Sequence, residues 1–309
     1  MWRKFLVSIR SLIQTDSRIC KFNLTHRTNR SLRTIREHHE NHRRPSITSH
    51  HLAAGTMSRK TANHTDKRIM MSGIWSIQHA DHSQEACCIL AFLLVEFARL
   101  FGRDIMFNEN CLVYNDPKAD CPMLITSDNL HLRLRLAQPS FSYWAQTVFQ
   151  LSHEMCHYAF RQRKINKEFT LCWFEEIVCE AVSLFSLEYA TNNWRHCRLA
   201  TWSPGYSESL NAYLENERTK PYTDEFKQCN TIEKLAAYEQ QRIAEERRET
   251  HLLERNAIYD QLSNNPLELK FVVNYTQYVG VNGVVIDFDR WIQDNPCKLL
   301  QRLKSIQPV

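Results

Sequence analysis

Between Leu130 and Leu136 every second residue is leucine, and His131, Arg133 and Arg135 fill the places between. A period of two marks a strand with one buried face. The charged open side suits a sheet edge, where it discourages pairing with other chains. Two shorter runs, "CLVYN" at 111–115 and "PMLITSD" at 122–128, predict further strands. Residues 83–102, "SQEACCILAFLLVEFARLFG", follow a helical rhythm, with Ser83 placed to cap the start and Gly102 to end it. Pro139 and Ser140 open a second long helix over about 141–163, and a third runs from Thr170 to Tyr189. Beyond Pro204 the pattern is largely helical. Residues 231–262 predict one or two charged helices with a solvated face, and Asn282-Gly283 between β-branched residues predicts a hairpin. Together these elements predict an α+β fold.

Charge divides the chain. Residues 1–70 carry 15 Lys+Arg and 4 Asp+Glu, a balance of +11; the rest carry 24 and 30, a balance of −6. Half of the 14 histidines also lie in the first 70 residues. That stretch has no sustained period and predicts a basic, disordered N-terminal extension, with the folded body beginning near Gly73. Three readings of it compete: an organelle-targeting segment, a basic arm for nucleic acid, or an upstream extension with translation starting at Met57, Met70 or Met71. The longest apolar run, Ile89–Val95, is too short to span a membrane. The 11 cysteines are odd in number and contain no CxxC pair, which predicts reduced thiols in an intracellular, cytoplasmic setting.

The chemistry concentrates in "QLSHEMCHYAF", residues 150–160. Residues four apart share a helix face, so His153 and His157 can turn a nitrogen toward one metal ion. Glu154 adjoins the first histidine, where a carboxylate can reach water at that metal; two ligands and a base on one helix is the HExxH arrangement. Trp144, Val148, Leu151 and Met155 form an apolar stripe, so the helix is packed and its polar groups need partners. The next helix carries Glu175, Glu176 and Glu180 within "CWFEEIVCEAVSLF", residues 172–185. A favourable helix-dipole position accounts for Glu175, but not for Glu180 deep in an apolar helix.

These residues resemble the gluzincin group of zinc metallopeptidases. The likeness covers about 40 residues, 150–189: HEMCH, an 18-residue gap, Glu176, and Trp173 three places before it. It implies a zincin-like fold, with a small mixed sheet and active-site helix over 71–165 and a mainly helical subdomain over 166–309. It implies one Zn²⁺ per chain held by His153, His157 and Glu176, with Glu154 as general base and Glu180 orienting a histidine ligand. A weaker likeness, to small intracellular metallopeptidases with a Glu-Ala-x-x-x-Phe segment, would move the third ligand to Glu180. No Gly-x-Met-Glu-Asn motif precedes the zinc helix, so aminopeptidase specificity is not implied. The substrate is a peptide or protein. An edge strand in this position pairs with substrate in such enzymes, which places Arg133 and Arg135 beside the cleft as substrate-binding residues. Tyr206, Tyr213, Arg218 and Tyr222 are candidates to stabilise an oxyanion. Cys156 and Cys179 read as packing residues, and His196 and His251 are given no role. The alternative function is a non-catalytic, zinc-stabilised interaction protein whose basic arm binds nucleic acid.

Overall fold

The computed structural model describes residues 68–71, 75–125, 132–164, 170–244 and 249–309. Apart from Arg68–Met71, the basic extension lies outside these residues, as does His131. Residues Asp66–Val309 form one unit, so the division expected at 165/166 falls inside it. Its class is mixed α+β, and among the described residues no helix is long and apolar enough to cross a membrane.

Five strands make one sheet: β1 (Arg68–Met71), β2 (Trp75–Gln78), β3 (Cys111–Asn115), β4 (Met123–Ile125) and β5 (Leu132–Leu136), in the spatial order β1-β2-β3-β5-β4. Helix α1 (Ser83–Leu100) carries the chain from β2 to the parallel strand β3, as a parallel connection requires. Strand β5 runs parallel to β3, and β4 pairs antiparallel with β5 to end the sheet. The leucine alternation therefore belongs to an interior strand rather than an edge. On its charged face Arg133 is exposed and Arg135 half-buried. In register, Trp75, Cys111 and Leu132 line up, then Ile77, Val113 and Leu134; all six are buried.

Helix α2 (Trp144–Arg163) lies on this buried face. The Tyr158 ring sits 4.7 Å from Trp75, and the Gln150 amide bonds both the N–H and the carbonyl of Ala137 at 2.9 Å. Helix α3 (Cys172–Asn193) packs along α2. Fifteen of its 22 residues are buried, which marks a helix enclosed on most sides. Helices α4 (Ser207–Arg218), α5 (Ile232–Ala244) and α6 (Leu252–Asn264) surround it, and α7 (Phe288–Asp294) and α8 (Lys298–Ile306) close the C-terminus behind α6.

Some local expectations shift. The fold begins at Arg68, ahead of Gly73, because β1 adds an outer strand. The residue before α1 is His82, in the left-handed region at φ 61°, while Ser83 is already helical. Gly102 does follow the end of α1 at φ 106°, where a Cβ would also meet the Asp104 carboxylate. Asn282-Gly283 makes a turn closed by a single bridge, Val279 to Ile286, rather than a hairpin with full strands. Nor is the 231–262 region merely solvated, since Glu239, His251, Glu254 and Arg255 are all buried.

Candidate metal centre

The long apolar stripe of α2 holds its HExxH turn against the sheet and α3, so His153 and Glu154 are each only 2 % exposed. The Nε2 atoms of His153 and His157 face each other at 3.1 Å. The Glu176 carboxylate comes from α3 and straddles them, with Oε2 3.3 Å from His153 Nε2 and Oε1 3.2 Å from His157 Nε2. Ligand atoms about 2.0–2.1 Å from a tetrahedral zinc lie roughly 3.3 Å from one another. The two histidine nitrogens stand near that spacing, and each is also near it from a different oxygen of Glu176; with one ligand atom taken from each residue, all three lie within 4.8 Å of one another. Among the described residues, His153, His157 and Glu176 form the only group of three or more His, Cys, Asp or Glu with this convergence. The sequence resemblance named the same three residues.

The charge balance also fits a cation. Glu154, Glu175 and Glu176 gather around two imidazoles, and Lys164 is the cation recorded at the cluster. Burial lowers the proton affinity of His157, but Glu176, Glu175 and Glu154 outweigh it and hold its pKa well above the ordinary histidine value. Burial opposes ionisation of Glu176, yet His157 and His153 hold its carboxyl well below the usual carboxylate range. A divalent ion satisfies the same demand for positive charge and uses the same lone pairs.

Glu175 has a part that its sequence position concealed. Its Oε2 meets His157 Nδ1 at 3.4 Å. Its Oε1 receives Lys164 Nζ at 2.8 Å and the Tyr275 hydroxyl, which in turn accepts the Leu171 N–H at 3.1 Å. A carboxylate on the outer nitrogen of a ligand histidine fixes its tautomer and orientation. Glu180, expected to orient a histidine ligand, has its Oε2 3.7 Å from His251 Nε2 and 3.6 Å from an Arg255 nitrogen, one turn beyond Glu176. His251, given no role on sequence grounds, is fully buried in that contact.

The start of α3 is held from a distance. Glu239 of α5 accepts the N–H of Cys172 at 2.6 Å and of Trp173 at 3.0 Å, which occupies two amides that a helix start leaves open. The Trp173 indole donates to the Val284 carbonyl at 3.1 Å. These contacts set the turn that presents Glu175 and Glu176.

Arg133 and Arg135 do not face the centre. They are one position out of register with the buried leucines, so they lie on the sheet face opposite α2. Arg133 stacks on Tyr114 at 4.6 Å, and Arg135 donates to the Cys121 carbonyl at 3.3 Å. Of the oxyanion candidates, Tyr206 uses its hydroxyl to accept the Ala145 N–H at 3.2 Å at the start of α2. Arg218 stacks on Tyr259, next to Asp260. Tyr222 is exposed, and Tyr213 packs on Phe149, one turn before His153. Cys156 and Cys179 are fully buried, and burial holds the Cys179 thiol well above its ordinary pKa. No family model, curated protein or solved structure matches the chain.

Proposed function

We propose that the protein is a zinc-dependent metallopeptidase with a zincin-like, gluzincin-type core. The observation that carries this reading is the meeting of His153, His157 and Glu176 from two helices, one ligand atom of each within 4.8 Å of the others, with Glu154 buried on the same turn. Two imidazoles and one carboxylate leave a fourth position open, as catalytic zinc sites do, whereas structural sites fill all four with protein ligands. Zn²⁺ held there supplies Lewis acidity toward a peptide carbonyl and brings the pKa of water toward about 7.

The chain's own residues do the rest. Glu154 takes a proton from the attacking water and returns it to the leaving nitrogen. Glu154 is buried, and its charge is felt at Cys111 of β3, whose thiol is pushed up by burial and by Glu109 and Glu154. Glu175 holds the His157 ring while Lys164 and Tyr275 hold Glu175. An extended peptide adds beside β4, which ends the sheet and packs against α2. A reducing intracellular compartment suits the free cysteines of the described residues.

The test is metal content and peptide hydrolysis on the same samples. Wild type should carry zinc near one per chain and cleave peptides from a broad pool. Glu154→Gln should keep the metal and lose at least about a thousandfold in kcat, and Glu176→Ala should lose the metal. Zinc retained in every variant, with no turnover even in wild type, would assign the centre a structural role.

A further inference from the structure

At its C-terminal end, α3 runs into three short turns of 3-10 helix, Trp194–His196, Arg198–Thr201 and Pro204–Tyr206. The rings of Trp144, Trp194 and Tyr206 stack on one another, with centroids 4.8, 5.4 and 6.1 Å apart. The Trp194 indole donates to the Ser203 carbonyl at 2.8 Å, and the Trp202 N–H to Leu199 at 3.0 Å, so the segment is held in place. Tyr143, next to Trp144, and Trp202, in the turn that leads to Tyr206, are large aromatic side chains exposed to solvent at 53 % and 54 %. Arg195, His196 and Arg198, on the same run of turns, are also exposed.

This face is cationic and its charge is not neutralised. From Tyr189 to Ser207 the chain holds no acidic residue. Among the described residues neither Arg195 nor Arg198 has a carboxylate partner; the Arg195 Nε contact recorded is His196 Nε2 at 3.3 Å. Some exposed cations elsewhere are paired, Arg163 with Asp104 and Lys304 with Asp289, while among the described residues others such as Lys118 and Lys270 are not. Glu85, which touches this cluster, is engaged by the Trp144 indole at 2.8 Å and by His82, and exposed Glu208 follows the segment at the first turn of α4. Favourable placement at a helix C-terminus accounts for Arg195 and His196. It does not account for Arg198 or for two uncovered aromatic rings.

We propose that this face docks an acidic polypeptide segment that also carries a large apolar side chain. Trp, Tyr and Arg are the residue types that carry most binding energy at protein interfaces. Here they come together with unspent positive charge. A long polyanion is disfavoured: nucleic-acid binders commonly neutralise about six to ten phosphates, whereas this face offers two arginines and a histidine on a body whose net charge from residue 71 onward is −6. Trp144 lies nine residues before His153, about 14 Å along α2 at 1.5 Å per residue, so docking needs none of the metal-binding residues.

The experiment is fluorescence anisotropy of a labelled acidic peptide, Asp and Glu interspersed with one Trp and one Phe, titrated with the full-length protein at low and raised salt. The wild type should bind, and more weakly as salt rises. Arg195→Ser/Arg198→Ser and, separately, Trp202→Ser should each weaken binding by roughly tenfold or more. Lys118→Ser/Lys270→Ser, on other surfaces, should leave it unchanged. Among the described residues these side chains make no ion pair, and of them Lys270 alone meets a ring, that of Phe271; thermal unfolding confirms that the variants fold. No binding by the wild type, or unchanged binding in either face variant, overturns the proposal. So does tighter binding of oligothymidylate that the face variants abolish, or a dimer in sedimentation that they dissolve; these would assign the face to nucleic acid or to a second copy.

Discussion

Glu175 and Glu176 are neighbours in sequence with different tasks. Glu176 points between the two histidines, while Glu175 reaches around to the far nitrogen of His157. Consecutive positions on a helix diverge by about 100°, so the pair can serve one imidazole from two sides. Glu175→Gln and Lys164→Met should each weaken zinc binding by about 10–100-fold, measured by competition with a chelating dye; unchanged affinity in both would leave Glu175 a purely structural role. A second prediction concerns protons. The raised pKa of His157 favours its charged form in the metal-free protein. That contribution to stability is fully present below the unfolded histidine value of about 6.5 and is lost as pH rises through the higher folded value. Zinc takes the neutral imidazole, so loading at neutral pH should release close to one proton and affinity should climb with pH. Calorimetry in buffers of different ionisation enthalpy reads this directly, and a buffer-independent heat would refute it.

Among the elements, α2 and α3 were legible because each keeps an apolar stripe through its polar motif. The strand 132–136 was legible for the same reason, with a different period. The neighbours that those strands acquire were not. Alternation fixes which side of β5 is buried, but β4 covers its free edge through pairing that no pattern within either strand announces. Arg133 and Arg135 were misplaced on that account: the alternation that buries the leucines against α2 turns the arginines away from it. The cap on α3 was hidden for a related reason, since Glu239 acts across 66 residues of sequence on Trp173. Its removal gives an element-scale test. Glu239→Ala should cost about 1–2 kcal/mol in urea unfolding, as loss of a helix-capping carboxylate does. It should also loosen zinc binding, because the freed turn carries Glu175 and Glu176. A stable variant with native metal affinity would show that packing alone sets the turn.

For the whole molecule, the centre gathers residues from widely separated stretches. His153 and His157 could be read from their spacing on one helix, and Glu176 from the resemblance to gluzincins that the 18-residue gap carries. Lys164, Glu239 and Tyr275 could not: nothing in their local sequence points to a histidine, and only the folded chain brings them there. The same holds for the buried contact of Glu180 with His251 and Arg255, which joins α3 to α6. Tyr275 is the last of these to be made. It binds the Leu171 amide and Glu175 in one stroke, a hundred positions after the glutamate it steadies. On the ribosome, both helices emerge long before that hydroxyl exists, so a nascent chain carries His153, His157 and Glu176 early but the brace for His157 late.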